Sequence, residues 1–332
     1  MNCRNPYPHD SAITMADGKW IEDLRPDMPV HVAAGKVLKV RLDVVRDALP
    51  PAVHEADRDV EHVHRLRVAT RRADAALKIF RPNLPDKVFK SARKRLQRLR
   101  RAAGEARDWD VFLFDLIARQ AVRPATERPG LDFLVGLAFA QRATAQPLLS
   151  AAAAKDGQPE LDGNAAATAN AVSAGANEPT LVQLARPLLA SLLHRLEEAT
   201  RGDLSDYAHL HQVRIAGKRL RYAMEVFAGC FAADFRVNVY PQVEEMQEIL
   251  GRANDSHVAV GRLVDVRERL QKTAPEEWKR VKAGIEAVLR FHRLRLPTER
   301  RRFLAWWKRW GTATGAEFSR LLSLEAAIHV AE

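Results

Sequence analysis

Lysine and arginine side chains are concentrated between residues 61 and 101, where they could bind an anion. This segment holds 14 Lys and Arg against three acidic residues, a net charge of +11. The whole chain of 332 residues also carries +11, so the remaining residues sum to about zero. Guanidinium groups bind phosphate oxygens through paired N–H donors, and ammonium groups bind them as point charges. So dense a cationic segment predicts an anionic partner.

Helical periodicity places these cations on one side of two successive helices. The helices are predicted at about 59–80 and 85–103, with a break at 81–85 and an apolar underside. Like charges at i,i+4 cost a helix about 0.2–0.5 kcal/mol per pair, a cost that ordinary solvated faces avoid. The pattern therefore favours anion binding over a merely solvated surface. The candidate contacts of this hairpin are His64, Arg67, Arg71, Arg72, Lys90, Lys94, Arg98 and Arg101.

The same pattern returns 147 residues later in the chain. Residues 208–227 align without a gap with residues 61–80, and the register continues through Gly104/Gly251 and Asp108/Asp255. This indicates two copies of one multi-helix unit, most simply related by a pseudo-twofold axis. The second copy also supplies a tyrosine that either donates its hydroxyl or packs. Its candidate contacts are His211, Arg214, Lys218, Arg219, Arg221 and Tyr222.

Three segments resemble the CHAD family of histidine-containing α-helical domains. They are H-R-L-R-V-A-T-R-R (64–72), G-E-A-R-D-W-D-V (104–111) and H-Q-V-R-I-A-G-K-R-L-R-Y-A-M-E (211–225). The resemblance extends from about residue 27 to the C-terminus. It implies a two-fold repeated helical bundle that binds inorganic polyphosphate along a basic surface, in many members on polyphosphate granules.

Two features depart from the family pattern. Asp74 stands where the second copy has Arg221, although a basic residue is usual at both positions. The helix that follows the second copy, at 240–248, is acidic where its counterpart in the first copy is strongly basic. We therefore expect the binding surface to be lopsided toward the first copy.

Other functions are weaker alternatives. The predicted surface has no exposed aromatic residues on which bases could stack, which favours a plain polyanion over sequence-specific nucleic acid. Residues alone do not separate polyphosphate from nonspecific binding to a nucleic-acid backbone, and the resemblance favours polyphosphate. No phosphate-binding loop, dinucleotide fingerprint or hydrolase signature is present, so a polyphosphate- or phosphate-ester-processing enzyme is the least favoured hypothesis and no catalytic residue is predicted.

The histidine pairs at 62/64 and 209/211 are the only hint of a metal site. We expect neither a metal nor another cofactor. Residues at i and i+2 on a helix point about 200° apart and cannot share an ion. His64 and His211 are instead expected to face the anion. Protonation below about pH 6.5 would add charge there, so binding is expected to tighten mildly in acid.

The expected organisation is an all-α chain in four parts. These are a tail at 1–26, a first repeat at 27–154, a flexible linker at 155–179 and a second repeat at 180–332. No stretch alternates at period two, so no sheet is expected. Two cysteines and no long apolar run indicate a cytoplasmic protein without a membrane span or disulfide framework. The oligomeric state is left open.

Local signals predict several helix ends and caps. Pro50-Pro51 and Gly104 are expected to end helices, a break is expected near 250–254, and Pro297 is expected to begin a helix. Asp108 and its counterpart Asp255 are expected to be N-caps, with cross-helix contact to a cation as the alternative.

The basic segment 290–310 contains an aromatic stripe. Phe303, Trp306, Trp307 and Trp310 follow i, i+3, i+4, i+7 spacing, which favours core packing over base stacking. Its arginines, Arg293 among the candidate contacts, could extend the cationic surface.

Overall fold

The computed structural model describes residues 19–120, 124–155, 165–175, 178–312 and 314–323. These ranges contain helices and no β-strand, and one isolated bridge joins Pro29 to Thr180. The all-α prediction is confirmed. In chain order the helices are α1 (Val30–His54), α2 (Glu61–Ile79), α3 (Asp86–Gln120), α4 (Arg128–Ala154), α5 (165–170), α6 (Leu181–Thr200), α7 (Tyr207–Phe227), α8 (Tyr240–Thr273), α9 (Pro275–Thr312) and α10 (Thr314–Ser323).

The chain divides into two compact units. Of the described residues, unit 1 contains Lys19 and those within Gly35–Val172 and Asp255–Arg295. Unit 2 contains those within Trp20–Ala34, Ser173–Asn254 and Leu296–Glu332. Helices α1, α8 and α9 contribute residues to both units, so neither unit equals one copy of the sequence repeat. The boundaries of the copies and the axis between them stay predictions.

Gly104 does not end a helix, because α3 runs without interruption through it. An interior glycine costs a helix roughly 0.5–1 kcal/mol relative to alanine. Burial of Leu99, Ala103 and Ala106 around the glycine outweighs that local preference.

The helix ends predicted at Pro50-Pro51 and Pro297 are also wrong, whereas α9 does begin at Pro275, as its proline predicts. Helix α1 continues through Pro50 and Pro51, and α9 continues through Pro297. An interior proline removes one backbone hydrogen bond. Buried Leu49 and Ala52 stabilise α1 across its two prolines, and Pro297 of α9 lies between buried His292 and buried Glu299. Helix α8 likewise crosses the break expected near 250–254, with buried residues on both sides.

The core of unit 1 lies among α3, α4 and the unit 1 parts of α8 and α9. Leu116, Leu134, Leu263 and Ile285 belong to one cluster of buried apolar side chains. Two glycines bring α4 and α9 into backbone contact: a Cβ added to Gly130 would lie 2.7 Å from the Cα of Gly284. Residues larger than glycine at these positions would push the two helices apart.

Three rings of the aromatic stripe of α9 are buried in unit 2, as predicted, and the fourth, Trp307, is half-buried. Phe303 and Trp306 are fully buried and stacked, with ring centroids 6.1 Å apart. Trp310 stacks on Trp306 at 5.3 Å and meets Phe318 of α10 edge to face. These rings form core contacts and offer no platform for bases.

Parts of the predicted tail and linker lie in packed regions. Ile21 and Leu24 are buried, and so are Ala165 and Thr168 of α5. Residues 1–18 of the predicted tail, 156–164, 176–177 and the segment from 324 onward lie outside the described residues. Among the helices that are described, none is long and apolar enough to cross a lipid bilayer.

Candidate anion-binding surface

Helices α2 and α3 pack through their apolar sides, which sets the position of their cations. Leu66, Ala73 and Leu77 of α2 are buried, as are Leu99 and Ala103 of α3. This confirms the predicted apolar underside of the hairpin. A short helical turn at Arg81–Asn83 separates the two helices.

Arg67 joins the two helices through polar contacts. Its guanidinium donates to the Asp108 carboxylate at 2.6 Å and to the Gly104 carbonyl at 3.0 Å. Asp108 lies inside α3 and is not an N-cap, so the alternative role, contact with a cation of the neighbouring helix, is the one observed. Asp255 likewise lies inside α8 and begins no helix.

Arg262 of α8 reinforces the contact around Asp108. Its guanidinium donates to the Asp108 carbonyl at 2.6 Å and lies over the Trp109 ring at 4.0 Å from the centroid. The carboxylate of Asp108 is about half exposed. In the ion pair between Arg67 and Asp108, the backbone of Asp108 is therefore held by Arg262, while its carboxylate is open to solvent.

His64 is half-buried in a cationic environment. Burial lowers the pKa of its imidazole, and four nearby guanidinium groups lower it further, from 6.5 to about 3. His64 is therefore neutral near pH 6, and the expected gain of charge in mild acid is wrong for this residue in the free protein. Those guanidinium groups belong to Arg107, Arg71, Arg67 and Arg72.

Arg107 is a member of this group that the sequence pattern did not reveal. It is buried in α3 and donates to the Glu61 carboxylate of α2 at 3.3 Å. Because α3 continues through Gly104, Arg107 lies on the same helix as the predicted cations. We call His64, Arg67, Arg71 and Arg107 the His64 cluster.

Arg72 is a buried member of the candidate set. It is 7% exposed and lines a cleft of about 210 Å³ in unit 1 that also contains Asp47, His62 and Arg65. The two histidines of the 62/64 pair therefore have different surroundings, as their helical spacing predicts.

Asp74 collects three cations from α2 and α3. Its buried carboxylate accepts from Lys78 Nζ at 2.6 Å, from Arg93 Nε at 3.3 Å and from an Arg100 terminal nitrogen at 3.3 Å. We call these four residues the Asp74 cluster. Arg93 and Arg100 were missed as candidates, although the unusual acid at position 74 marked this place in the sequence.

A second set of α3 cations faces solvent. Lys90, Lys94 and Arg101 are exposed and Arg98 is half-buried. Lys90 is 70% exposed and donates to Asp86, one turn earlier, at 3.3 Å. We call Lys90, Lys94, Arg98 and Arg101 the outer row.

The candidate residues of the second copy lie on α7 in unit 2. Arg219 is exposed, whereas His211, Arg214 and Lys218 are half-buried. All four belong to a single helix.

Acidic residues accompany the second-copy cations. The Arg221 guanidinium lies 3.5 Å from the Glu244 carboxylate and 5.0 Å from the centroid of the Tyr222 ring. Tyr222 is buried, which favours packing over phosphate contact. Glu225 is also buried and accepts a hydrogen bond from Tyr240. These carboxylates offset part of the positive charge of α7.

Several arginines of α9 are also paired with acids. Arg293 is exposed, but Arg302 donates to buried Glu299 at 2.7 Å and Arg309 donates to Glu245 at 2.8 Å. Arg293 is therefore the better candidate for contact with an anion.

Unit 1 contains a serine, a histidine and an aspartate arranged like the catalytic triad of a hydrolase: Ser256, His292 and Asp115. The Ser256 hydroxyl is 3.3 Å from His292 Nδ1, and His292 Nε2 is 3.3 Å from the Asp115 carboxylate. The side chain of Ser256 is fully buried, so a substrate could not reach its hydroxyl. Two hydrogen bonds from Arg119 also hold Asp115. The arrangement is a buried polar contact among α3, α8 and α9.

Comparison with known proteins gives one matching family and several solved structures of similar fold, including the two that follow. The model of the CHAD domain family matches residues 36–264, more than half of the chain. The crystal structure of the CHAD domain from the plant Ricinus communis has a TM-score of 0.60 and 24% identity, and the match covers 91% of this chain and 95% of that chain. PptA from Streptomyces chartreusis has a TM-score of 0.66 and 18% identity, and the match covers 84% and 99%. No curated protein matches significantly. At these identities the two structures show a shared fold.

Proposed function

Because this chain belongs to the CHAD domain family, we propose that it binds long-chain inorganic polyphosphate, without converting it, through the cationic side of α2 and α3. The observation that carries this proposal is the outer row, where Lys90, Lys94 and Arg101 are exposed along one helix. The His64 cluster supplies further guanidinium groups, from Arg67 and Arg71 on α2 and from Arg107 on α3.

The extent of this surface favours a polymer over a single nucleotide. Lys90 and Arg101 are 11 positions apart on α3, a rise of about 16 Å at 1.5 Å per residue. Cations repeated over that length match a ligand with repeated negative charges. The protein's role is neutralisation and hydrogen bonding of phosphate oxygens.

Polyphosphate is favoured over nucleic acid because the segment 61–101, where the cations are concentrated, offers no exposed ring for base stacking. Its two aromatic residues, Phe80 and Phe89, are both buried. Contacts to a nucleic-acid backbone alone would use the same cations, so nonspecific nucleic-acid binding is the competing function. Association with polyphosphate granules is part of the proposal, and co-localisation of a fluorescent fusion with granules would test it.

A competition experiment tests the proposal. Labelled long-chain polyphosphate bound to the purified protein is challenged with duplex DNA, RNA and ATP at about 150 mM salt. We expect polyphosphate to remain bound in a large excess of each competitor. Displacement by DNA at equal phosphate concentration would instead support the nucleic-acid alternative.

The salt dependence of binding locates the site. Replacing Lys90 and Lys94 by Gln should reduce the slope of log K against log salt by about 2, at roughly 0.9 per phosphate contact on duplex DNA. The matched control is Lys39→Gln with Lys279→Gln, since these lysines of unit 1 are 65% and 71% exposed and each also pairs with a nearby acid. Equal slopes for the two double variants would place the site elsewhere.

A further inference from the structure

The Asp74 cluster has more positive charge than its carboxylate can neutralise. Three cations surround one carboxylate, so the cluster carries 3 − 1 = +2. Asp74 is only 4% exposed, whereas Lys78, Arg93 and Arg100 are 49%, 39% and 35% exposed. The cluster therefore presents net positive charge at the surface above a buried acid.

The cations of the cluster retain donors for a second anion. An arginine has five N–H groups and a lysine ammonium has three. In the cluster, each arginine gives one N–H to Asp74 through a bond of 3.3 Å. Because the acid fixes one end of each guanidinium, little side-chain entropy is lost when the other end binds phosphate.

The Asp74 cluster lies in line with the His64 cluster along α2. Arg67 and Lys78, the outermost cations of the two clusters on this helix, are eleven positions apart, which separates them by about 16 Å on the same side of the helix. One extended anion could therefore contact the whole span, while tripolyphosphate is too short to reach from one end to the other.

We propose that Lys78, Arg93 and Arg100 form a second phosphate subsite, an inference that rests on the proposed function. This subsite makes the protein select long polyphosphate chains over short ones. A long chain bridges the two clusters, and the second contact is then intramolecular, which raises affinity without new chemistry. Tripolyphosphate gains no such bridging.

The subsite belongs to the first copy alone. At the 147-residue offset, Asp74 and Lys78 correspond to Arg221 and Glu225, so the signs of both charges are reversed. Glu225 is buried and bound by Tyr240. The second copy cannot form the same arrangement, which agrees with a lopsided surface.

The test compares two ligand lengths in matched variants. Affinities for tripolyphosphate and for long-chain polyphosphate are measured for the wild type and for Arg93→Gln with Arg100→Gln. Lys78 still pairs with buried Asp74 in this variant. The control is Arg58→Gln with Arg280→Gln, which removes two exposed arginines, 78% and 62%, from unit 1. Circular dichroism checks that each variant is folded.

We expect the long-to-short affinity ratio to fall by about tenfold or more in the cluster variant, because bridging contributes about 10²–10⁴ to avidity. The control should keep the wild-type ratio. Long-chain binding with an unchanged ratio in the cluster variant would overturn the second subsite and leave the proposed function intact. No long-chain binding by the wild type would overturn the proposed function itself. If the double variant does not fold, Lys78→Gln replaces it, and a ratio equal to that of the wild type overturns the subsite.

Discussion

Mild acid should destabilise unit 1 through His64. Its imidazole has a pKa of about 3 in the folded chain, against an ordinary histidine value of 6.5. Between these values the unfolded chain binds a proton that the folded chain does not. The free energy of unfolding therefore falls as pH drops below 6.5, and the loss grows until about pH 3. At pH 5 linkage gives a loss of about 2 kcal/mol from this one group.

Urea unfolding at pH 7.5 and 5.0 measures this loss. Other groups also titrate between these two pH values. The loss of stability from pH 7.5 to pH 5.0 is therefore compared between the wild type and His64→Gln. We expect the wild type to lose about 2 kcal/mol more than the variant. His54→Gln is the control, since His54 is an exposed histidine at the end of α1.

A direct titration decides whether the reasoning about His64 is right. In an NMR titration the His64 imidazole should stay neutral down to about pH 4 in the free protein, because burial and four arginines oppose its charge. Addition of polyphosphate should raise its midpoint, since the anion offsets those positive charges. A midpoint near 6.5 in the free protein would refute the argument, as would equal pH dependence in His64→Gln and wild type.

Two further predictions concern stability, each checked by thermal or urea unfolding. Gly130→Ala should destabilise the protein by about 1–3 kcal/mol, because its Cβ would lie 2.7 Å from Gly284 Cα. A Cβ added to Gly136 on the same helix would meet nothing within 4 Å, so Gly136→Ala should stabilise the protein by up to about 1 kcal/mol. Equal effects of the two changes would contradict the close crossing of α4 and α9. Arg67→Ala should cost about 1–3 kcal/mol because Asp108 and Gly104 lose their donor. Arg65→Ala, whose ion pair with Asp59 is 3.9 Å long, should cost no more than about 1 kcal/mol, and a comparable loss would argue against the Arg67 bridge.

The periodicity of charged and apolar residues predicted the hairpin well. It separated the buried side of α2, with Leu66 and Leu77, from the side that carries His64 and Arg67. It also identified Phe303, Trp306 and Trp310 of α9 as core. Periodicity succeeds in these helices because one side of each is buried and the other carries charge.

Helix ends were the least predictable feature, for a physical reason. Gly104 and Pro297 have the local properties of a helix boundary, yet each lies inside a long helix. Local propensities are worth about 1 kcal/mol for glycine and about 3 kcal/mol for proline, and burial of apolar side chains along the rest of the same helix exceeds them. The continuity of α3 then placed Arg107 near His64, which the predicted break had obscured.

The Asp74 cluster could be located from the sequence but not interpreted. Comparison of the two copies showed that the acid was unusual. Its partners Arg93 and Arg100 lie 19 and 26 positions away on another helix. Which arginines of α3 turn toward α2 depends on the packing angle of the two helices, which the sequence pattern does not define.

The most direct test of the central claim is lysine acetylation with and without long-chain polyphosphate, read by mass spectrometry. Lys90 and Lys279 make a matched pair, because both belong to unit 1, both pair with an acid on their own helix, and their exposures are 70% and 71%. Binding along α3 predicts that polyphosphate slows modification of Lys90 and leaves Lys279 unchanged. Equal protection of both lysines, or protection of neither, would contradict binding along α2 and α3.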